Sequence, residues 1–187
     1  KRYGLMLGAA MALSSVFANT VYSIELKGDF RLRSQIEDQK GDANDYRHRQ
    51  RIRFRLKGMS DLSDEATLKF GLSTGGTDQR STNQTLGGGF QTPDIRLDYV
   101  FLNYKLTHQL AILGGKMKNP LYRPSDLLWD SDINPDGLAF SYRSGTELSS
   151  IDVFMNGGVF VLGEEKKAAD PLLVAIQPGF KLKLHDE

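Results

Sequence analysis

The chain has 187 residues, with 24 Lys and Arg against 23 Asp and Glu, and it contains no Cys. Without Cys, a disulfide framework, thiolate metal sites and Cys-based nucleophilic catalysis are all excluded. The formal charge of +1 gives no global pull toward nucleic acid, so what matters is where the charges sit along the chain.

The first residues carry a targeting pattern. Lys1 and Arg2 precede the apolar or small-residue run Leu5–Phe17, and Val16-Phe17-Ala18 places suitable residues where a signal peptidase reads. The run is shorter than the roughly 20 residues a spanning helix needs. Residues 1–18 are therefore expected to be a cleaved signal peptide rather than an anchor, and the absence of Cys excludes a lipoprotein signal. Removing them takes away Lys1 and Arg2 and no acid, which leaves 22 basic residues against 23 acidic and a formal charge of −1.

After residue 18 no apolar run reaches helical spanning length, and the periodicity changes to two. In 24–36, Ile24, Leu26, Phe30, Leu32 and Ile36 share one parity, while Glu25, Lys27, Asp29, Arg31 and Arg33 share the other. That is a strand with one apolar and one charged face. A polar loop, 37–45, leads to the clearest strand, 46–58. There Arg47, Arg49, Arg51, Arg53, Arg55 and Lys57 face one way, and Tyr46, His48, Gln50, Ile52, Phe54 and Leu56 face the other. A short turn, 58–64, precedes a strand at 65–74, and a polar Gly-rich stretch fills 75–94. The strand at 95–106 has two competing apolar parities, Ile95 to Phe101 and Val100 to Leu106, as a phase-switching bulge produces. Strands are predicted at 109–117, 138–143, 150–162 and 172–184, with Pro178 marking an irregularity in the last. A long segment, 118–137, separates the fifth strand from the sixth.

Long and short connections alternate along this order. Transmembrane barrels show that asymmetry, with brief periplasmic turns and longer outer loops. Alternation also lets a strand cross a bilayer with only half its residues apolar, provided the sheet closes and no backbone group is left unpaired in lipid. The expected fold is an all-β, transmembrane antiparallel β-barrel with eight strands in this chain. Eight strands would crowd their interior with long charged side chains. Residues 19–187 are therefore expected to be the N-terminal part of a larger barrel.

Two stretches concentrate chemistry. The basic row of Arg47, Arg49, Arg51, Arg53, Arg55 and Lys57, joined by Arg31 and Arg33, is too costly to face lipid. It needs water, counter-ions or carboxylates, and a water-filled pore wall supplies the first two. A solvated sheet surface and a polyanion-binding stripe are the competing readings, and export argues against an intracellular nucleic-acid partner. The second stretch, 118–137, holds Arg123 with Asp126, Asp130, Asp132 and Asp136. Folded inward, it narrows the passage and opposes the basic wall, which sets up a transverse field. An ordinary outer loop is the alternative. Asp130, Asp132 and Asn134 briefly mimic a calcium loop, but Pro135 takes the Gly position and Ser141 the position of the bidentate Glu. No metal and no cofactor is expected.

The segments GDFRLRSQ at 28–35, YRHRQRIRFRLKG at 46–58, LDYVFLNYKL at 97–106 and GKMKNPLYRPSDLLWDSDINPDGLAFSY at 115–142 resemble the bacterial outer-membrane porins, and within them the family labelled putative porin. The resemblance spans most of 24–160. It implies a barrel of about sixteen or eighteen strands, a possible homotrimer, a third outer loop folded into the lumen, and passive diffusion of small hydrophilic solutes or ions. It also implies the outer membrane of a Gram-negative bacterium, with lipid and small polar or charged solutes as partners and no nucleic acid. A small eight-stranded structural or binding barrel without a conducting pore is the alternative function. An enzyme is not expected: His48, His108 and His185 are the only histidines, and none falls in a recognisable serine or metal arrangement.

Overall fold

A computed structural model describes residues 23–38, 46–125, 128–145 and 150–182. The expected signal peptide at 1–18, and Asp126 of the 118–137 segment, lie outside the described residues. Among the described residues there are strands and no helix: β1 (Ile24–Asp38), β2 (Tyr46–Asp61), β3 (Ala66–Thr74), β4 (Gln84–Thr85), β5 (Ile95–Lys105), β6 (Leu110–Lys116), β7 (Asp136–Arg143), β8 (Ile151–Val161) and β9 (Leu172–Leu182). They form one antiparallel sheet in the order β1-β2-β3-β5-β6-β7-β8-β9. The eight expected strands are all present. The additional element, β4, is a two-residue strand inside the 75–94 stretch that pairs with Arg51 and Ile52 of β2 beyond the end of β3. The sheet is not closed, since β1 and β9 each have one neighbour.

At one end the strands are joined by 62–65, 106–109 and 144–150, and at the other by 39–45, 75–94, 117–135 and 162–171. The connection at 39–45 is no longer than that at 144–150, so the asymmetry rests on 75–94 and 117–135. Tight backbone bonds close the shortest turns, with Leu62 N–H donating to Ala66 at 2.8 Å and Leu106 N–H to Leu110 at 2.9 Å.

The two-residue period separates the faces. On the outer face Leu32, Val174 and Ile176 are 67%, 72% and 68% exposed. They continue a field that includes Phe30, Leu97, Leu138, Val159 and Phe180. A sheet that turned this face to water would lose roughly 1.5–3 kcal/mol per large side chain relative to burial, and apolar fields of this extent mark membrane or interaction surfaces.

The bulge expected in 95–106 is real. Gly71 of β3 pairs with Tyr99, but Leu72 pairs with Leu97, so Asp98 is the extra residue. The insertion flips the phase of β5. Ile95 and Leu97 share the outer face with Val100 and Tyr104, while Tyr99 and Phe101 turn inward and are buried. The irregularity expected at Pro178 is absent. β9 keeps continuous register with β8 through the Met155–Pro178 pair.

Four aromatic rings lie over the glycine directly opposite them: Phe70 over Gly58, Tyr99 over Gly71, Phe140 over Gly157 and Phe154 over Gly179. A strand glycine leaves a gap in the pleated surface, and a cross-strand aromatic fills it. At Gly71 a Cβ would run into the Tyr99 ring. Gly71→Val is expected to cost about 1–3 kcal/mol through overpacking. Urea titration of protein refolded into vesicles would measure it, and an unchanged midpoint would show that the ring moves aside freely.

Candidate functional site

The inner face of β1 and β2 is built from charge. Arg31 stands opposite Arg53, Arg33 opposite Arg51, Asp29 opposite Arg55, Glu37 opposite Arg47 and Lys27 opposite Lys57. Asp29 takes a 2.8 Å bond from Arg53 Nη2 on one carboxylate oxygen and a 2.8 Å bond from Arg55 Nε on the other. Arg49 pairs with Glu37. Seven arginines (31, 33, 47, 49, 51, 53 and 55) therefore share this stretch of the face with two carboxylates, Asp29 and Glu37. The Nε atoms of Arg31, Arg49, Arg51 and Arg53 are shielded and have no hydrogen-bond partner among the described residues. The terminal nitrogens of Arg31, Arg49 and Arg53 instead carry the contacts, to Asn83, Glu37 and Asp29.

The connection 75–94 leans over this row. Asn83 Oδ1 accepts from Arg31, and Ser81 Oγ lies 3.5 Å from Arg51 Nη2. Thr82 is fully buried, with its carbonyl taken by Thr74 Oγ1 at 2.9 Å. Farther out, the Arg80 backbone N–H donates to Asp78 at 3.0 Å and holds its carboxyl below the ordinary range.

The segment 117–135 runs down the inner face. Its roots are pinned near β5. Lys118 Nζ reaches buried Asp98 at 3.2 Å and sits 4.7 Å from the Tyr99 ring centre, and Asn134 Nδ2 donates to the Asp98 carbonyl at 3.0 Å. Met117 is fully buried with Tyr99, Phe101, Ala139 and Phe160. Its far end is clamped to β9. Tyr122 N–H donates to Gln177 Oε1 at 2.6 Å, Gln177 Nε2 donates back to the Tyr122 carbonyl at 2.8 Å, and the Tyr122 ring packs on Phe154 at 5.6 Å. Phe154 pairs with Arg143, at the opposite end of β7 from Asp136. Gln177, which holds the Tyr122 backbone, pairs with Asn156, and Asn156 with Ser141, five residues along β7 from Asp136; at about 3.3 Å each this puts Tyr122 roughly 17 Å along the face from the root.

The two segments meet. Asp132 Oδ2 accepts from the Thr82 backbone N–H at 3.2 Å and from its hydroxyl at 3.3 Å. Asp132 therefore meets the arginine row only indirectly, with Ser81-Thr82-Asn83 standing between. Asp130 accepts from the Asp132 backbone N–H at 2.9 Å. Asp136 belongs to β7 rather than to the loop, and its carboxylate pairs with Lys116 at 3.1 Å. Arg123 donates to the Trp129 carbonyl at 2.8 Å. Among the described residues, the carboxylates that pair with the arginine row come from β1.

A family model described as putative porin matches residues 36–187, from the end of β1 through all of β2 to β9. The chain belongs to this family. Comparison with curated proteins returns no match. Porin membership, with an all-antiparallel sheet and a continuous apolar outer face, points to the outer membrane.

In this porin-family chain several inner-face residues had no signature in the sequence. Asp98 is concealed by the bulge that it forms. Thr82, Asn134 and Gln177 are ordinary polar residues whose partners lie 36 to 55 positions away. The inner face is also not uniformly polar, because Tyr99, Phe101, Met117, Ala139 and Phe160 make an apolar patch on it next to the 117–135 segment. Among the described residues the histidine contacts are on the outer face, where Ser34 Oγ lies 2.9 Å and Gln50 Nε2 3.3 Å from His48 Nε2. No carboxylate among the described residues orients that ring.

Proposed function

We propose that this chain forms one sector of the wall of a water-filled outer-membrane channel through which small hydrophilic solutes and ions diffuse passively, with anions favoured. The observation that carries the reading is the pairing of Arg31 with Arg53 and of Arg33 with Arg51 across one face. Like charges directly opposite each other destabilise a sheet. Folding alone gives no reason to stack seven arginines against two carboxylates, whereas a hydrated passage tolerates and uses them. On this reading the open edges of β1 and β9 are met by further strands in a barrel of about sixteen or eighteen, because unpaired edges are untenable in lipid. The outer face takes lipid, residues 1–18 direct export, and the segment 117–135 narrows the passage. No catalytic role is assigned.

The apolar patch beside the inward segment favours one competing reading, a small barrel whose interior is plugged. Planar-bilayer recording of the full-length protein separates the two. Stepwise, ohmic conductance is expected from a channel. Correctly folded, inserted protein that passes no current would sink the channel reading and favour the plugged barrel.

A further inference from the structure

At the deep end of the inward segment lies a cavity of about 280 Å³. Tyr122 and Arg123 contribute from the segment, and Ser141, Arg143, Asn156 and Lys181 from the strands. Among the described residues the lining carries three basic side chains and no carboxylate. This separates it from the cavity at Arg96 and Lys116, where Asp98 and Asp132 supply the opposite sign, and from the arginine row, where Asp29 and Glu37 do so. Asp152 is the cross-strand neighbour of Lys181, but its carboxylate accepts the Gly145 backbone N–H. No carboxylate among the described residues lies within ion-pair distance of Arg143 or Lys181.

The remaining groups are positioned for an oxyanion with an apolar body. Asn156 is 5% exposed, and Ser141 Oγ donates to its Oδ1 at 2.9 Å, so the amide nitrogen is left without a protein partner among the described residues. Arg143, Lys181 and Asn156 then bring only donors to the cavity, which suits an ion that only accepts. The aromatic wall is held in place. The double backbone clamp between Tyr122 and Gln177 fixes that residue, Phe154 supports its ring, and Lys181 Nζ sits 5.1 Å from the ring centre.

We propose that this cavity is a binding site for small organic carboxylates, with the carboxylate at Arg143, Lys181 and Asn156 and the apolar body against Tyr122. The proposal rests on reading the inner face as solvated and accessible. It goes beyond a general anion preference, because an apolar wall adds nothing for a bare halide.

Calorimetric titration of the detergent-folded, full-length protein tests it, with benzoate as the probe and benzamide as its neutral isostere. Saturable benzoate binding is expected, about tenfold or more tighter than benzamide, and Arg143→Gln and Lys181→Gln should each weaken benzoate by about tenfold, the size of one charge-assisted hydrogen bond. Tyr122→Ala should weaken benzoate while leaving acetate within about twofold. Unheated gel mobility and β-sheet circular dichroism confirm that each variant is folded. Equal affinity for benzoate and benzamide, or benzoate binding unchanged in both cation variants, overturns the site. The titration is independent of conductance, so protein that binds benzoate without passing current keeps the site and removes the channel. Protein that conducts without saturable benzoate binding does the reverse.

Discussion

Arg51→Glu with Arg53→Glu is expected to turn the channel from anion-favouring toward cation-favouring. Each arginine projects from the inner face of β2, with Arg33 and Arg31 directly opposite. A unit charge about 4 Å from a passing ion is worth about 1 kcal/mol even at the dielectric constant of water. Inverting two such charges should lower the chloride-to-potassium permeability ratio by about tenfold or more, since about 1.4 kcal/mol corresponds to a factor of ten. Reversal potentials in a salt gradient read this directly, and low ionic strength gives the clearest result because screening is weaker there. The Arg51→Glu half of the change should stabilise the sheet, because it faces Arg33 and an opposite-charge cross-strand pair contributes roughly 0.2–1 kcal/mol. At 53 the new pair with Arg31 is offset, since Asp29 loses its bond from Arg53 and keeps only that from Arg55. An Arg51→Glu single variant that is more stable and less anion-selective would show that the row is kept for conduction at the expense of the fold. An unchanged reversal potential in a conducting variant would remove the row from the passage.

The second large effect concerns the outer face. Leu32→Arg is expected to cost about 2–4 kcal/mol of membrane-inserted stability, the value for Arg on the lipid face of a barrel near the bilayer midplane. Leu32 is 67% exposed and lies among Phe30, Ile36 and the other outer side chains. Its neighbour Arg33 points to the other face, where it stands opposite Arg51. Arg33→Leu should therefore be neutral or mildly stabilising, because it relieves a like-charge pair. Folding of the two variants into vesicles, followed by urea titration, tests the assignment of faces in one experiment. Equal costs at 32 and 33 would mean that the outer face does not meet lipid.

The faces of β1 and β2 were legible because alternation is a local property. A strand places successive side chains on opposite sides whatever its neighbours are, so the parity of Arg47 to Lys57 needs no tertiary information. Even the bulge in β5 left a trace, since Ile95 and Leu97 carry one apolar parity and Val100 and Leu102 the other. The seating of the 75–94 stretch was not legible. Gln84 and Thr85 have no strand signature, and they pair because β3 stops short of the upper part of β2.

The candidate site divides in the same way. Arg31 and Arg33 could be grouped with the β2 arginines from parity alone, and Asp29 could be placed on the same face. That Asp29 bridges Arg53 and Arg55, and that Glu37 takes Arg49, depends on the register between two strands. A shift by one residue would have moved every side chain to the other face. The acids at Asp130, Asp132 and Asp136 look alike in the sequence, yet one closes a local turn, one latches Thr82 across 50 positions and one begins a strand beside Lys116.

The sequence by itself determined an antiparallel all-β chain with an apolar outer face and a basic inner one, because each follows from composition or from a period of two. The tertiary structure alone decided where the inward segment goes, which carboxylates reach the arginines, and that Arg143 and Lys181 share a cavity with Tyr122. Those relations join residues up to 59 positions apart. They are set by strand register and by the roughly 17 Å over which the segment descends, and neither quantity is written in any local pattern of residues.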